Sequence, residues 1–412
     1  MKIKRSLPPA AAPFSWIDLG GSLAGIVSGP RAIRQFEAEL KEYFNVGHVF
    51  LVSSGKAALT LILLALKSIS SRKEVLIPAY TCYSVPSAVV KAGLTVTVCD
   101  VEPNGFDFHE HGLEKKVGGQ TLCVVSNHLF GIPSRLDRVR ELCRKNGGVL
   151  VEDAAQAMGG RVSGRLLGTL GDVGFFSLGR GKNLACGSGG IILTDSDAIA
   201  AAIERKYVQL TSPSRMEMAG EFLQLALTAL FIHPALFWFP QGLRFLRLGE
   251  TIFDKDFPVK KLSAMKAGFL RHWRTRLEEA NTVRAETAEF FARRLGLCLP
   301  DEGPLPFLRF PVLLESRAAR MRLLSHSREK GLGLSGMYPA PIHQIDEIRS
   351  LFHGECFPSA EAICERLVTL PTHPLVTEKD KEEICALLKD FVVHEVRQDS
   401  LQVSGVKDLQ RG

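Results

Sequence analysis

Apolar runs alternate with amphipathic segments over the first half of the chain. Residues 31–44, RAIRQFEAELKEYF, carry the apolar spacing of a surface helix. HVFLVSS (48–54) reads as a buried strand, and Gly55 opens a long apolar helix, KAALTLILLALKSI. Strand-like EVLIPA (74–79) leads to a helix near 85–92 and to the strand LTVTVCDV (94–101). TLCVVSNHLFG (121–131) is a strand ending in a polar turn, and 134–146 is a charged amphipathic helix. GGVLVEDAA (147–155), DVGFFSL (172–178) and GGIILTD (189–195) are three more strands, followed by a helix over 199–208. Apolar strands alternating with helices predict an α/β fold whose mostly parallel, seven-stranded sheet is covered on both faces. Such sheets place ligands at the carboxyl ends of their strands.

Beyond residue 208 the pattern changes. Residues 262–297 read as one long helix that bridges to a smaller C-terminal α+β domain. That domain has a strand at 305–314, a helix at 316–329, a YPAPIH loop at 338–343, and helices at 359–366 and 378–391. The plan is an N-terminal arm (1–30), a large domain (31–261) with an apolar insert (210–250), the bridging helix, a small domain (298–395) and a polar tail (396–412). Within the insert, residues 222–243 contain no Asp, Glu, Lys or Arg. Three arrangements suit such a stretch. It could pack as a helix pair or subunit contact, lie on a membrane surface with Trp238 and Arg244 at its rim, or span a bilayer. Pro234 at its centre argues against the span.

Composition narrows the function classes. The 412 residues are 46% hydrophobic and 23% charged, with 37 Gly, which is a globular profile. The net charge of +7 comes from scattered residues and small clusters such as Lys2, Lys4 and Arg5 or Arg271, Arg274 and Arg276. No basic tract follows a nucleic acid backbone. Nine Cys with no CxxC spacing argue against structural zinc and a disulfide scaffold, so no metal site is expected. The N-terminus lacks a long apolar core, which argues against secretion. The expectation is a cytoplasmic enzyme with reduced thiols, with peripheral membrane contact through 222–243 as the variant reading.

Three segments could carry chemistry. VEDAAQ puts Asp153 at the carboxyl end of an apolar strand, where a carboxylate can pair with a protonated ring nitrogen at the base of a pocket. In an enzyme using pyridoxal 5'-phosphate (PLP), that pairing keeps the pyridine an electron sink. FFSLGRGKNLACGSGG carries Lys182 in a Gly-rich loop between two strands, from which its amine can reach a cleft and form an imine. Ser177 ends the preceding strand and could donate to a phosphate. SSGKAAL resembles a phosphate turn opening a helix, with the amides of Gly55 and Lys56 toward the anion. Neither a GxxxxGK[ST] nor a GxGxxG motif follows the first strand.

Each segment alone has an ordinary structural explanation; their order is informative. With IPAYTCYSVPSAVVKAG, VEDAAQAMGG, GTLGDVGFFSLGRGKNLACGSGGII and VTLPTHPLVTEKDKEEI, the chain resembles the DegT/DnrJ/EryC1/StrS family of PLP-dependent sugar aminotransferases. The family has the aspartate aminotransferase fold, type I. The resemblance implies that Lys182 is the Schiff-base lysine, that Asp153 binds the pyridine nitrogen and that Gln156 contacts the ring-side oxygen. Ser177, Gly55 and Lys56 would hold the phosphate. His128 falls where the family has a His beside the pocket, with a structural role as the alternative. Tyr338 and His343 match a YxxPxH loop near the substrate.

The chain departs from the family in three places. The family often stacks an aromatic on the ring at the position of Cys82; Tyr80 and Tyr83 flank it and one could substitute. The family's Asn-Tyr-Arg segment, from which a partner subunit reaches the phosphate, is here DFPVKKLSAMKAG, with Lys260 or Lys261 as a replacement charge. The apolar 222–243 stretch is untypical. The expected function is transfer of an amino group, from an amino acid such as L-glutamate to a nucleotide-linked keto-sugar, by a homodimer. The alternatives are a same-fold PLP enzyme with a lipid-linked or non-sugar acceptor, and a non-enzymatic regulator.

Overall fold

The computed structural model describes residues 5–243, 249–300 and 303–389. Lys2, Lys4, Arg244, the end of the closing helix and the polar tail lie outside them. The chain begins with α1 (Trp16–Ser28), α2 (Pro30–Phe44), β1 (His48–Val52), α3 (Gly55–Ile69), β2 (Glu74–Pro78), α4 (Ser84–Lys91) and β3 (Thr95–Cys99). It continues with α5 (Glu110–Lys116), β4 (Thr121–Asn127), α6 (Asp137–Asn146), β5 (Val149–Asp153), the short hairpin β6 (Arg161–Val162) and β7 (Arg165–Leu166), β8 (Val173–Ser177), β9 (Gly190–Thr194) and α7 (Asp197–Tyr207). Then come α8 (Arg215–Phe231), α9 (Trp238–Gly242), α10 (Ala264–Phe269), α11 (Trp273–Leu295), β10 (Arg309–Leu313), α12 (Arg317–Lys330), α13 (Pro358–Arg366), β11 (Leu367–Pro371) and α14 (Glu378–Lys389).

The large sheet has seven strands in the order β1-β9-β8-β5-β4-β2-β3. β3, β2, β4, β5 and β8 run parallel. β9 is antiparallel to both β8 and β1, so β1 points with the parallel set. All seven residues of β4 are buried, as the two-sided cover of a parallel sheet requires. The same cover explains the charge-free face of α3, where Ala57–Leu63, Ala65 and Leu66 are all buried. The small domain builds its own core from α11, the antiparallel pair β10-β11, α12 and α14, around Phe291, Phe310, Leu323, Leu370 and Leu388.

Several features depart from the sequence expectation, among them α5 and the β6–β7 hairpin, which it did not include. The arm contains a helix, α1, capped by reciprocal hydrogen bonds between Ser15 and Asp18. Periodicity hides it because Trp16, Ile17, Leu23 and Val27 face outward. The helix expected over 262–297 is two helices, α10 and α11, broken at Leu270–His272. Buried Phe269, Leu270 and Trp273 carry the apolar pattern through the break, so periodicity cannot see it. The turn lets α10 cross α1 backbone to backbone, where a Cβ on Gly268 would lie 2.5 Å from Gly25 Cα. β11 also went unpredicted as a strand; it follows α13 without a loop.

The apolar insert forms a helix, a turn around Pro234 and a short helix, with Phe231 stacked on Phe239 at 5.4 Å between centroids. Among the described residues no helix is long and apolar enough to cross a membrane. Ser6 ties the N-terminal arm to this insert through Pro234 O (2.9 Å) and Gln241 Oε1 (2.7 Å).

Candidate active site at the carboxyl edge of the sheet

Because β1, β2, β4, β5 and β8 point the same way, the turns that follow them share one edge. Those turns carry Gly55, Cys82, His128, Asp153 and Gln156, and Ser177 with its loop to Lys182.

The turn after β1 is built for an anion. Ser54 caps α3 by accepting from Ala57 N at 3.1 Å. The helix has no acceptor for the next amides, Gly55 and Lys56. Ser177 abuts them: a Cβ on residue 55 would lie 2.8 Å from Ser177 Cβ, so only glycine fits. The Lys56 ammonium turns elsewhere, to Asp254 at 3.0 Å and over the Phe257 ring. Lys56 can therefore serve an anion here through its backbone, not its charge.

Asp153 is buried at 8% exposure, and among the described residues its carboxylate accepts one hydrogen bond, from Ala155 N to Oδ1 at 3.0 Å. Burial raises its pKa, opposed by that amide and by the charges of Lys182 and His128. Burial pushes the Lys182 amine down, opposed by Cys82 and Asp153 and assisted by Arg309. Asp153 and Lys182 thus feel each other, yet among the described residues they form no ion pair. A buried carboxylate with a free oxygen, a desolvated amine and an anion-binding turn fit PLP. They would hold its ring nitrogen, its aldehyde carbon and its phosphate.

Gln156 follows Asp153 and already has two partners. Its Oε1 accepts from Phe130 N at 3.1 Å, and its Nε2 donates to the Tyr338 hydroxyl at 2.9 Å. Tyr338 is buried beside Cys82, Tyr80 and Asp153, and burial holds its hydroxyl protonated. Tyr80 and Tyr83 both reach the loop around Tyr338: Tyr80 donates to Met337 O, and Tyr83 to Ala340 O at 3.0 Å. Tyr80 also stacks on Phe106. Between the two tyrosines, Cys82 is the side chain whose environment includes Lys182.

His128 is fully buried with both ring nitrogens engaged. Nδ1 accepts from Ser134 N at 2.9 Å, so Nε2 carries the proton and donates to Glu152 Oε1 at 2.7 Å. Burial by itself would raise Glu152; donation from His128 and from the amides of Gly168 and Gly171 brings its pKa below the usual range instead. His343 bonds to Glu361 Oε1 at 2.9 Å and packs on Phe357. Lys260 pairs with Glu217, and Lys261 lies over the Tyr207 ring. Both residues that could replace the family's arginine therefore have partners within the chain.

Two arginines escaped sequence reasoning. Arg284, on α11, is fully buried and donates to Ala11 O at 2.9 Å and to the carbonyls of Asn183 and Lys182 at 3.4 Å. It clamps the lysine loop against the N-terminal arm; nothing in an amphipathic helix pattern marks it. Arg309 opens β10, and its Nη1 is buried with no hydrogen-bond partner. Burial pushes its guanidinium down to about 10, so it stays charged at neutral pH. A signal was available: Arg309 is the one charge inside LPFLRFPVLL.

This fold and edge define a type I PLP-dependent aminotransferase architecture. The profile of the DegT/DnrJ/EryC1/StrS aminotransferase family matches residues 23–226 and 254–389. The chain belongs to that family. It is 28% identical over 363 residues to the UDP-N-acetyl-3-dehydro-alpha-D-glucosamine 3-aminotransferase of Acidithiobacillus ferrooxidans, covering 86% of this chain and 87% of the relative. It is 29% identical over 360 residues to the dTDP-3-amino-3,4,6-trideoxy-alpha-D-glucose transaminase of Streptomyces venezuelae, covering 84% and 83%. The crystal structure of the aminotransferase TlmJ from Streptoalloteichus hindustanus superposes with a TM-score of 0.75 at 24% identity, covering 94% of this chain and 99% of that one. The profile match leaves out 227–253, which includes much of the apolar insert.

Proposed function

We propose that this protein moves an amino group from an amino acid, L-glutamate in the first instance, to the keto group of a nucleotide-linked sugar. The reading rests on one observation: Asp153 and Lys182 come to the same sheet edge as the Gly55–Ser177 contact, and their charges act on each other although among the described residues they form no ion pair. PLP, when bound, supplies a carbonyl carbon for amine exchange and an electron-withdrawing ring. The Gly55 and Lys56 amides and the Ser177 hydroxyl bind its phosphate. Asp153 holds a proton on the ring nitrogen through charge-assisted hydrogen bonding. Lys182, desolvated and so biased toward the neutral amine, takes a proton from the amine-bearing carbon of the donor and later returns one to the acceptor carbon. Tyr338, which is buried, and Phe106, which is partly buried and stacks on Tyr80, add apolar surface to this part of the core.

Two of the relatives named above are named for nucleotide-linked sugars, which supports a similar acceptor here. Homodimerisation is part of the reading. α1 and α8 touch, and both expose apolar side chains, among them Ile17, Val27, Met216 and Leu223. A partner subunit would cover them.

The direct test is the absorbance of purified protein supplied with PLP. A long-wavelength band of lysine-bound cofactor, absent from Lys182→Ala, is expected; no band in the wild type would overturn the reading. A screen of donors and keto-sugars with NMR of the product then names the acceptor.

A further inference from the structure

Amino transfer gives the apolar insert nothing to do. α8 turns charge-free at residue 222, and of its 17 residues only Leu225 is buried; α9 buries none. Leu225 anchors the helix on the lysine loop, where a Cβ on Gly187 would meet it at 3.3 Å, and Glu221 adds an ion pair to Lys266 at 2.5 Å. Past this anchor Leu227, Leu230, Leu236 and Phe239 are exposed, and the Phe231–Phe239 stack holds the two helices side by side. A helix that is apolar on all sides belongs in a core or against lipid, and an exposed apolar surface of this kind marks a contact site. Pro234 interrupts the stretch, and among the described residues no helix is long and apolar enough to cross a bilayer.

Positive charge gathers beside this surface. Ser6 bonds to Pro234 and Gln241 of the insert. Lys2 and Lys4 precede Ser6 by four and two residues, which keeps both within about 14 Å of it along any path. Arg328 lines a cavity together with Ser6 and Gln241, and Lys330 adjoins Gly331, whose carbonyl accepts from Leu7 N at 2.8 Å. Arg5 is already paired with Asp380. The remaining basic residues outnumber Glu329, the carboxylate between Arg328 and Lys330. We propose that the α8–α9 face docks on an anionic phospholipid bilayer, lying in the interface rather than crossing it. Two observations favour lipid over a second copy of the chain. The family profile ends at 226 and resumes at 254, so the exposed residues from Leu227 onward lie outside the surface the family shares. Met216 and Leu223, assigned above to the subunit contact, lie before that break. A twofold contact through this patch would also set the basic segments of two copies against each other, whereas anionic headgroups answer them. Trp238, edge-to-face with Phe239, is the residue type that settles at headgroup level.

The experiment sediments the full-length protein with vesicles of phosphatidylcholine and phosphatidylglycerol in equal parts, or of phosphatidylcholine alone. The wild type is expected to sediment with the anionic vesicles, less with the neutral ones, and to be released as salt is raised. Leu227→Gln, Leu230→Gln and Leu236→Gln combined should weaken partition about tenfold or more, because binding scales with the apolar area buried. Lys2→Glu combined with Lys4→Glu should lower binding to the anionic vesicles toward the level of the neutral ones. Without vesicles, the circular dichroism and elution volume of both variants should match the wild type. A wild type that stays in solution with anionic vesicles overturns the proposal, and so does a triple variant that binds them equally well. A triple variant that elutes as a smaller species assigns the face to a second copy, which also overturns it. Should the triple variant fail to fold, unchanged binding of the Lys2→Glu, Lys4→Glu variant to anionic vesicles overturns it. No measurement here uses PLP or an amino acid, so failure of this proposal and failure of the aminotransferase reading are separate results.

Discussion

Gln156 Nε2 lies 2.9 Å from the Tyr338 hydroxyl, so a side chain at the edge of the large sheet holds the loop that follows the small-domain strand β10 and helix α12. Its other end accepts from Phe130 N. Both partners are buried. Gln156→Ala strands a hydroxyl and an amide, at a cost of about 1–3 kcal/mol. Urea denaturation should show that loss. The variant should also raise donor KM more than it lowers kcat, since the loop it frees forms a wall of the cleft.

Gly55 and Ser177 are in contact without room for another carbon. Gly55→Ala should weaken cofactor binding and cost about 1–3 kcal/mol, the usual range for overpacking. The second substitution Ser177→Gly removes the clashing Cβ. The double variant should therefore recover stability relative to Gly55→Ala, a coupling that a double-mutant cycle detects. Cofactor affinity should not recover, because the hydroxyl is gone. Strictly additive stabilities would contradict the packing described.

Glu152 is buried and accepts from His128 Nε2 and the amides of Gly168, Leu170 and Gly171. Glu152→Gln places an NH2 group against donors and should destabilise by about 3 kcal/mol or more. His128→Asn should likewise cost stability. Neither change should shift the half-saturating concentration of L-glutamate in the folded enzyme. A rise in that value for His128→Asn would return His128 to the substrate.

His373 is fully buried, donating to Pro8 O at 2.8 Å, and burial pushes its pKa down to about 4 from 6.5. The unfolded chain therefore binds a proton that the folded chain refuses between these values. Stability from the neutral ring is whole above about pH 6.5 and is lost as pH falls toward 4. The loss reaches at most about 3 kcal/mol. His373→Asn should lack this component, so its stability should gain on the wild type as the pH is lowered. Urea titrations at neutral pH and at about pH 5 test this.

Much of the fold was legible in the chain. Seven apolar runs, the first five separated by helices, specify a mostly parallel sheet, because strands buried on both faces must be apolar throughout. Chain order then brings Gly55, Asp153, Ser177 and Lys182 to one edge, since parallel strands end on the same side. The contacts across that edge are tertiary. Tyr80 and Tyr83 turn to the 337–340 loop, because strand alternation says nothing of a loop more than two hundred positions away in the chain. His128 and His343 belong to separate hydrogen-bonded clusters with Glu152 and Glu361. α1 was hidden because its apolar face is outside, and the break before α11 because burial continues through it.

The sequence by itself determined which residues can do chemistry and in what order they meet the sheet. That information is local, carried by strand ends, turns and caps. Only the tertiary structure decided which charges are answered. Lys56 finds Asp254, Glu152 finds His128 and backbone amides, and the buried Nη1 of Arg309 finds no acceptor among the described residues. Pairing depends on distance and burial between segments far apart in the chain, and neither is written in the spacing of a motif.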